Sequence, residues 1–172
     1  LLSGPKFRET RLNKIINESL TKLSKPAGVN VVLSSVLKDD AVWLDEEQMS
    51  ALLLDLAKNA IESMPRGGEL KIDVAGDDEQ VTVALTDEGV GIPLENMPLL
   101  FTPFFTTKAV GDGTGLGLPL AYATVKAHKG DIVIESNANP QERPTGTVVR
   151  ITLPRKQAFQ QKEAKIILHG DE

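Results

Sequence analysis

Asp55 and Asn59 stand four residues apart in the run Leu53-Leu54-Asp55-Leu56-Ala57-Lys58-Asn59-Ala60-Ile61-Glu62. On a helix that spacing puts a carboxylate and an amide on one face. Their oxygens suit a hard cation such as Mg²⁺, which prefers oxygen ligands and keeps several waters. The polar edge of a half-buried helix would carry the same residues. A second cluster, Asp87-Glu88-Gly89-Val90-Gly91-Ile92-Pro93, follows a β-rich run. An ionised Asp only accepts hydrogen bonds, which matches an exocyclic amine such as adenine N6. Gly89 and Gly91 permit close backbone approach or positive φ, and Ile92 offers an apolar face to a flat base. A plain Asp-Gly turn between elements reads the same way.

Leu100-Phe101-Thr102-Pro103-Phe104-Phe105-Thr106-Thr107-Lys108 gathers three of the five Phe residues beside hydroxyls and a lysine. Such a segment fits a flap closing over a ligand, with Lys108 meeting phosphate as a point charge. It equally fits a loop pinned to the core by its rings. Gly111-Asp112-Gly113-Thr114-Gly115-Leu116-Gly117-Leu118 opens a helix. Closely spaced glycines there aim backbone N–H groups at an anion, aided by the helix dipole. This is not a Walker loop, because no Gly-Lys-Ser/Thr follows. Nor does it directly follow a strand, as a dinucleotide-binding loop would.

The elements that must hold these residues are legible from periodicity. Leu12, Ile15, Ile16, Leu20 and Leu23 form one stripe of an amphipathic helix over 12–23, stopped by Lys25-Pro26. β-rich runs follow at 29–36 and 41–44, and Asp45 suits an N-cap. The strongest helix spans 46–64, with Leu52, Leu53, Leu56, Ala60, Ile61 and Met64 at helical spacing, and ends at Pro65-Arg66-Gly67-Gly68. Strands are expected at 69–75 and 80–86, around the turn Gly76-Asp77-Asp78. The Gly- and Pro-rich stretch 87–114 is long enough to be functional or disordered. A helix over 116–128 and strands at 131–135 and 147–153 complete the chain. Adjacent strand pairs favour a mixed or antiparallel sheet with helices on one face.

Composition narrows the function classes. The 172 residues suggest one domain, with 41% apolar residues for a core and 25% charged. A net charge of −5 argues against general nucleic-acid or anionic-membrane binding. The absence of Cys excludes disulfides, thiolate catalysis and Cys-ligated metals. No apolar run reaches the ~18 residues of a membrane span. The opening Leu1-Leu2-Ser3-Gly4-Pro5 lacks the features of a signal peptide. The expectation is a cytoplasmic fragment without direct membrane contact, from a parent that could itself be membrane-anchored.

In this order the clusters resemble the N, G1, F and G2 boxes of sensor histidine kinase catalytic domains, within the gyrase, chaperone, kinase and mismatch-repair ATPase superfamily. The Phe101–Lys108 and Gly113–Leu118 stretches resemble the nitrogen-regulation-type kinases in particular. The resemblance covers roughly 12–154 and implies an α/β (α+β) two-layer sandwich of a mixed, mostly antiparallel sheet with helices on one face, a Bergerat-type fold with ATP held between helices and sheet under a lid, 93–114. It implies that Asn59 binds Mg²⁺, that Asp87 reads adenine, and that Gly89 and Gly91 are the G1 glycines. Gly113, Gly115 and Gly117 would lie near the phosphates, Lys108 at the lid edge, and Thr147 would support adenine through water. Ala60, Ile92, Thr106, Thr107, Thr114, Leu116 and Leu118 fall within the same boxes and join the expected ATP-binding set.

Asp55 departs from the family's usual first Asn and could act as a proton acceptor. It could also act as general base in an ATP-hydrolysing clamp of the gyrase or mismatch-repair type, the alternative reading. Glu62 stands where many of these kinases carry a phosphate-contacting Lys; Lys58 or Lys108 would compensate. The implied reaction is transfer of the γ-phosphoryl group to a histidine on a separate dimerisation and phosphoacceptor helical domain, with a response regulator downstream. A nucleotide-binding or docking module without catalysis is a further rival.

Neither His128 nor His169 sits in a phosphoacceptor motif. His128 reads as a helix C-terminal dipole partner or a surface residue. The expected division is 1–10 as the trailing connection of an absent helical domain, 11–155 as the ATP-binding domain, and 156–172 as a tail.

Overall fold

The structure, a computed structural model, describes residues 4–106 and 117–158. Its central feature is a five-stranded sheet in the order β2-β4-β5-β7-β6. The strands are β2 (Val29–Ser35), β4 (Gly68–Gly76), β5 (Gln80–Asp87), β6 (Asp131–Asn137) and β7 (Gly146–Pro154). β2 runs parallel to β4 and every other pairing is antiparallel, so the sheet is mixed, as expected from the sequence. Alternation decides its faces. Val81, Val83 and Leu85 of β5 are buried, with Leu70, Ile72 and Val74 of β4 beside them. The opposite face carries charge, including the exposed pairs Lys71–Asp73 and Arg150–Glu135.

Helices cover the apolar face. α2 (Glu46–Glu62) packs on β4 and β5, α3 (Gly117–Ala127) on β6, and α1 (Leu12–Thr21) against α2. α2 starts where expected because Asp45 accepts from the Gln48 N–H at 3.1 Å, and Glu46 and Glu47 favour the positive helix end. Its buried stripe of Met49, Leu52, Leu53, Leu56 and Ala60 lies in the core that the sheet and α1 share with it. Each fully buried leucine stabilises the fold by roughly 2 kcal/mol.

Two features were not legible in the periodicity. β1 (Arg8–Arg11) pairs antiparallel with β3 (Ala41–Leu44) in a separate two-stranded sheet. Within the Gly- and Pro-rich stretch, Leu94–Leu99 forms a 3-10 helix.

His128 corrects the expectation of a surface position, for it is 1% exposed. Its Nε2 accepts the Asp45 N–H at 3.0 Å, and its Nδ1 lies 2.8 Å from the Thr124 carbonyl. Nε2 serves as the acceptor, which leaves Nδ1 to donate to the Thr124 carbonyl. Phe7 packs edge-on against it at 5.2 Å. The ring thus ties the end of α3 to the start of α2.

Among the described residues, no helix is long and apolar enough to cross a membrane.

Candidate functional site

A cavity of about 540 Å³ lies between α2, the sheet and the segment after β5. Asp55, Asn59 and Ala60 reach it from α2, Asp87 from the end of β5, and Thr147 from β7. Gly91, Ile92, Thr106, Gly117 and Leu118 also line it. Asp87 and Asn59, far apart in sequence, therefore share one space. A Cβ placed on Gly117 would lie 3.9 Å from Asn59 Nδ2, so the start of α3 adjoins the amide. Thr107, Lys108, Gly113, Thr114, Gly115 and Leu116 lie outside the described residues, as does His169.

The sheet builds one end of the cavity. Asp87, Thr147 and Ser136 are direct cross-strand partners on β5, β7 and β6. Opposed residues of neighbouring strands project to the same side. Asp87 Oδ1 accepts the Gly89 N–H at 2.8 Å and the Thr147 N–H at 3.3 Å, leaving acceptor capacity chiefly on Oδ2. Ser63 has a single hydroxyl proton, and the Ala60 carbonyl at 2.6 Å and the Asp87 carboxylate compete for it. The carboxylate, being charged, is the stronger acceptor. Burial pushes the Asp87 carboxyl above its ordinary value of 3.8, while the Gly89 N–H, the Ser63 hydroxyl and the Thr147 N–H pull it back.

Two glycines allow this end to close. Gly91 has φ +75°, and a Cβ there would fall 2.0 Å from the Asn137 carbonyl oxygen. Gly146 has φ +145°, and its Cβ would fall 2.1 Å from the Asp87 carbonyl oxygen. Both the conformation and the space exclude a side chain. Gly89 is not among the cavity-lining residues; it serves through its N–H to Asp87.

The floor and wall are apolar: Leu85, Ile92, Ile134 and Val149 form a surface on which a planar ring can lie. Asp55, Lys58 and Glu62 are exposed on α2 and also line the cavity. Among the described residues no group of three or more His, Cys, Asp or Glu could cage a metal. The aromatic loop divides its rings. Phe101 packs on Tyr122 at 5.0 Å, Phe105 lines the cavity, and Phe104 is 75% exposed with φ +68°. The segment is thus pinned at one ring and contributes another to the site.

Ser63 and Ser136 were missed from the sequence. Ser63 repeats the Asp55–Asn59 spacing once more along α2, and Ser136 is a polar residue at an inward position of β6. Those two signals could have found them.

Comparison with known proteins follows the same lines. Residues 44–157 match the family described as histidine kinase-, DNA gyrase B-, and HSP90-like ATPase. Sporulation kinase E of Bacillus subtilis is 34% identical over 160 residues, spanning 91% of this chain and 21% of the relative. Sporulation kinase C of the same organism is also 34% identical, over 91% of this chain and 36% of the relative. The chain thus spans about a fifth to a third of the length of these relatives. The solved catalytic domain of histidine kinase ThkA superposes with a TM-score of 0.73 at 28% identity, covering 88% of this chain and 99% of that one. The mycobacterial sensor histidine kinase MprB superposes with a TM-score of 0.74 at 26% identity, covering 86% and 96%.

Proposed function

Because this chain belongs to the histidine kinase-, DNA gyrase B-, and HSP90-like ATPases, we propose that it is the catalytic domain of a sensor histidine kinase. It binds ATP with Mg²⁺ and passes the γ-phosphoryl group to a histidine on a separate helical dimerisation domain. The observation that carries this reading is the single cavity joining Asp87 to Asn59. In the same proposal residues 1–10 trail from that helical domain, 11–155 bind ATP and 156–172 form a tail. A response regulator would receive the phosphoryl group next.

Asp87 accepts the adenine amine, and Ile92 lies against the base. Asn59 would hold Mg²⁺ through its amide oxygen, a ligand type that suits this hard cation. When bound, the ion offsets phosphate charge. The exposed Asp55, one turn before Asn59, can take the proton released by the attacking imidazole. Thr106, Thr107, Lys108 and the glycines 113, 115 and 117 hold the phosphates, a role that positions rather than reacts. Exposed Leu94, Phe104, Leu120 and Tyr122 around the aromatic loop and α3 support docking on a partner helix.

The test has two stages. Calorimetry should show ATP–Mg²⁺ binding in the micromolar-to-millimolar range, and Asn59→Ala should narrow the difference between ATP affinity with and without Mg²⁺. Supplied with a phosphoacceptor helical domain, the chain should then label it from ATP, and should not label itself alone. The hydrolytic clamp reading is not favoured, since the relatives are named kinases. Steady phosphate release without a partner, abolished by Asp55→Asn, would reinstate it.

A further inference from the structure

Ser136 lies outside the cavity yet contacts three groups of its base end. Its Oγ accepts the Ile92 N–H at 2.8 Å, lies 2.9 Å from the Gly146 carbonyl oxygen, and lies 2.7 Å from Thr147 Oγ1. A hydroxyl carries one proton and two lone pairs. The Gly146 carbonyl has no proton to give, so that contact is a hydrogen bond only if Ser136 donates to it. Ser136 must then accept from both Ile92 and Thr147. The opposite assignment leaves two oxygens 2.9 Å apart without a proton between them. Thr147 therefore spends its only proton on Ser136, and its lone pairs are what it turns to the cavity it lines. Asp87, its cross-strand neighbour, is an acceptor as well.

We propose that Ser136 is a specificity-positioning residue: by taking the Thr147 proton, it makes Thr147 face the base end of the cavity as a hydrogen-bond acceptor beside Asp87. Paired acceptors of this kind at the ring's 6-position favour the 6-amino group, which donates, over a 6-oxo group, which accepts. The inference rests on the nucleotide-binding reading above and adds how the base is told apart. Discrimination of this kind is strong because the rejected ligand leaves buried polar groups unpaired.

The probes are ATP and inosine triphosphate, which carries a 6-oxo group in place of the 6-amino group. Binding of each is measured by calorimetry with Mg²⁺. Wild type should favour ATP. Ser136→Ala frees the Thr147 proton to turn inward, and the ATP preference should shrink by about fivefold or more. Thr147→Val removes an acceptor, so ATP should lose more affinity than the inosine nucleotide. The double variant Ser136→Ala/Thr147→Val should match Thr147→Val alone, since the effect of Ser136 runs through that hydroxyl. Ser136→Thr, which keeps a hydroxyl, should restore the preference.

The proposal is overturned if Ser136→Ala weakens both nucleotides equally, if the two substitutions act additively, or if Thr147→Val raises the preference for ATP. A wild type that binds both nucleotides alike overturns it too. If Ser136→Ala does not fold, the direction of the Thr147→Val change decides. A wild type that binds no ATP instead removes the nucleotide reading beneath it.

Discussion

Asp87 carries a conflict between stability and binding. The residue is 8% exposed and its pKa is raised by burial. A raised folded pKa means that the folded chain holds the proton more tightly than the unfolded chain. Apo stability therefore falls as pH rises from 3.8 through the higher folded value, and the penalty persists above it. Asp87→Asn should raise the melting temperature of the nucleotide-free protein at pH 7, and the gain should vanish below pH 3.8. The same substitution places a donor before the adenine amine and should weaken ATP binding about 10- to 100-fold. Titration calorimetry across pH should also show wild-type ATP affinity declining at a higher pH than an ordinary aspartate would give. Gly91 poses a steric constraint instead. Gly91→Ala forces a side chain into the left-handed region and onto the Asn137 carbonyl. ATP binding should be lost and thermal stability lowered, because the loop cannot close on β6.

At the scale of elements, the start of α2 is a junction. Asp45 caps the helix, accepts the Lys6 N–H at 2.8 Å, and gives its own N–H to His128. Burial opposes its ionisation, but the N–H groups of Lys6 and Gln48 outweigh this and hold its pKa below 3.8. A depressed folded pKa contributes stability that is present above the unfolded value and is lost as pH falls through the folded one. Asp45→Ala should cost about 1 kcal/mol at neutral pH, and urea melts of the two proteins should converge in strong acid. His128→Leu would leave the Asp45 N–H buried without an acceptor, a cost of about 1–3 kcal/mol. Denaturant unfolding should record that loss. Hydrogen exchange should locate it at the first turn of α2 and the last turn of α3.

Across the whole molecule, one layer of helices and one sheet face enclose the core, and the cavity opens where α2, α3 and the strand ends diverge. A ligand bound there bridges both layers but has no counterpart site in the unfolded chain. ATP–Mg²⁺ at about 100 times its dissociation constant should therefore stabilise the fold by about 2.7 kcal/mol. Thermal shift would read this directly, and Asp87→Asn should cut it to about 0.4–1.4 kcal/mol at the same nucleotide concentration.

Much of this was written in local pattern. The helical stripe through Leu52, Leu56 and Ala60, the strict alternation of β5 and the Asp45 cap follow from periods of 3.6 and 2 and from side-chain chemistry, which neighbours in sequence express by themselves. Asp55, Asn59, Asp87 and the glycines stood out because their clusters fall in the order of the family's boxes, not through any one cluster alone. Other facts were decided only in three dimensions. The pairing of β1 with β3, the burial of His128 and the Ser136–Thr147–Ile92 hydrogen bonds join residues from separate elements. A strand's partner, a ring's exposure and the direction of a hydroxyl proton depend on what the rest of the chain places beside them. No local period encodes that, because the energies that settle it arise only once the layers have packed.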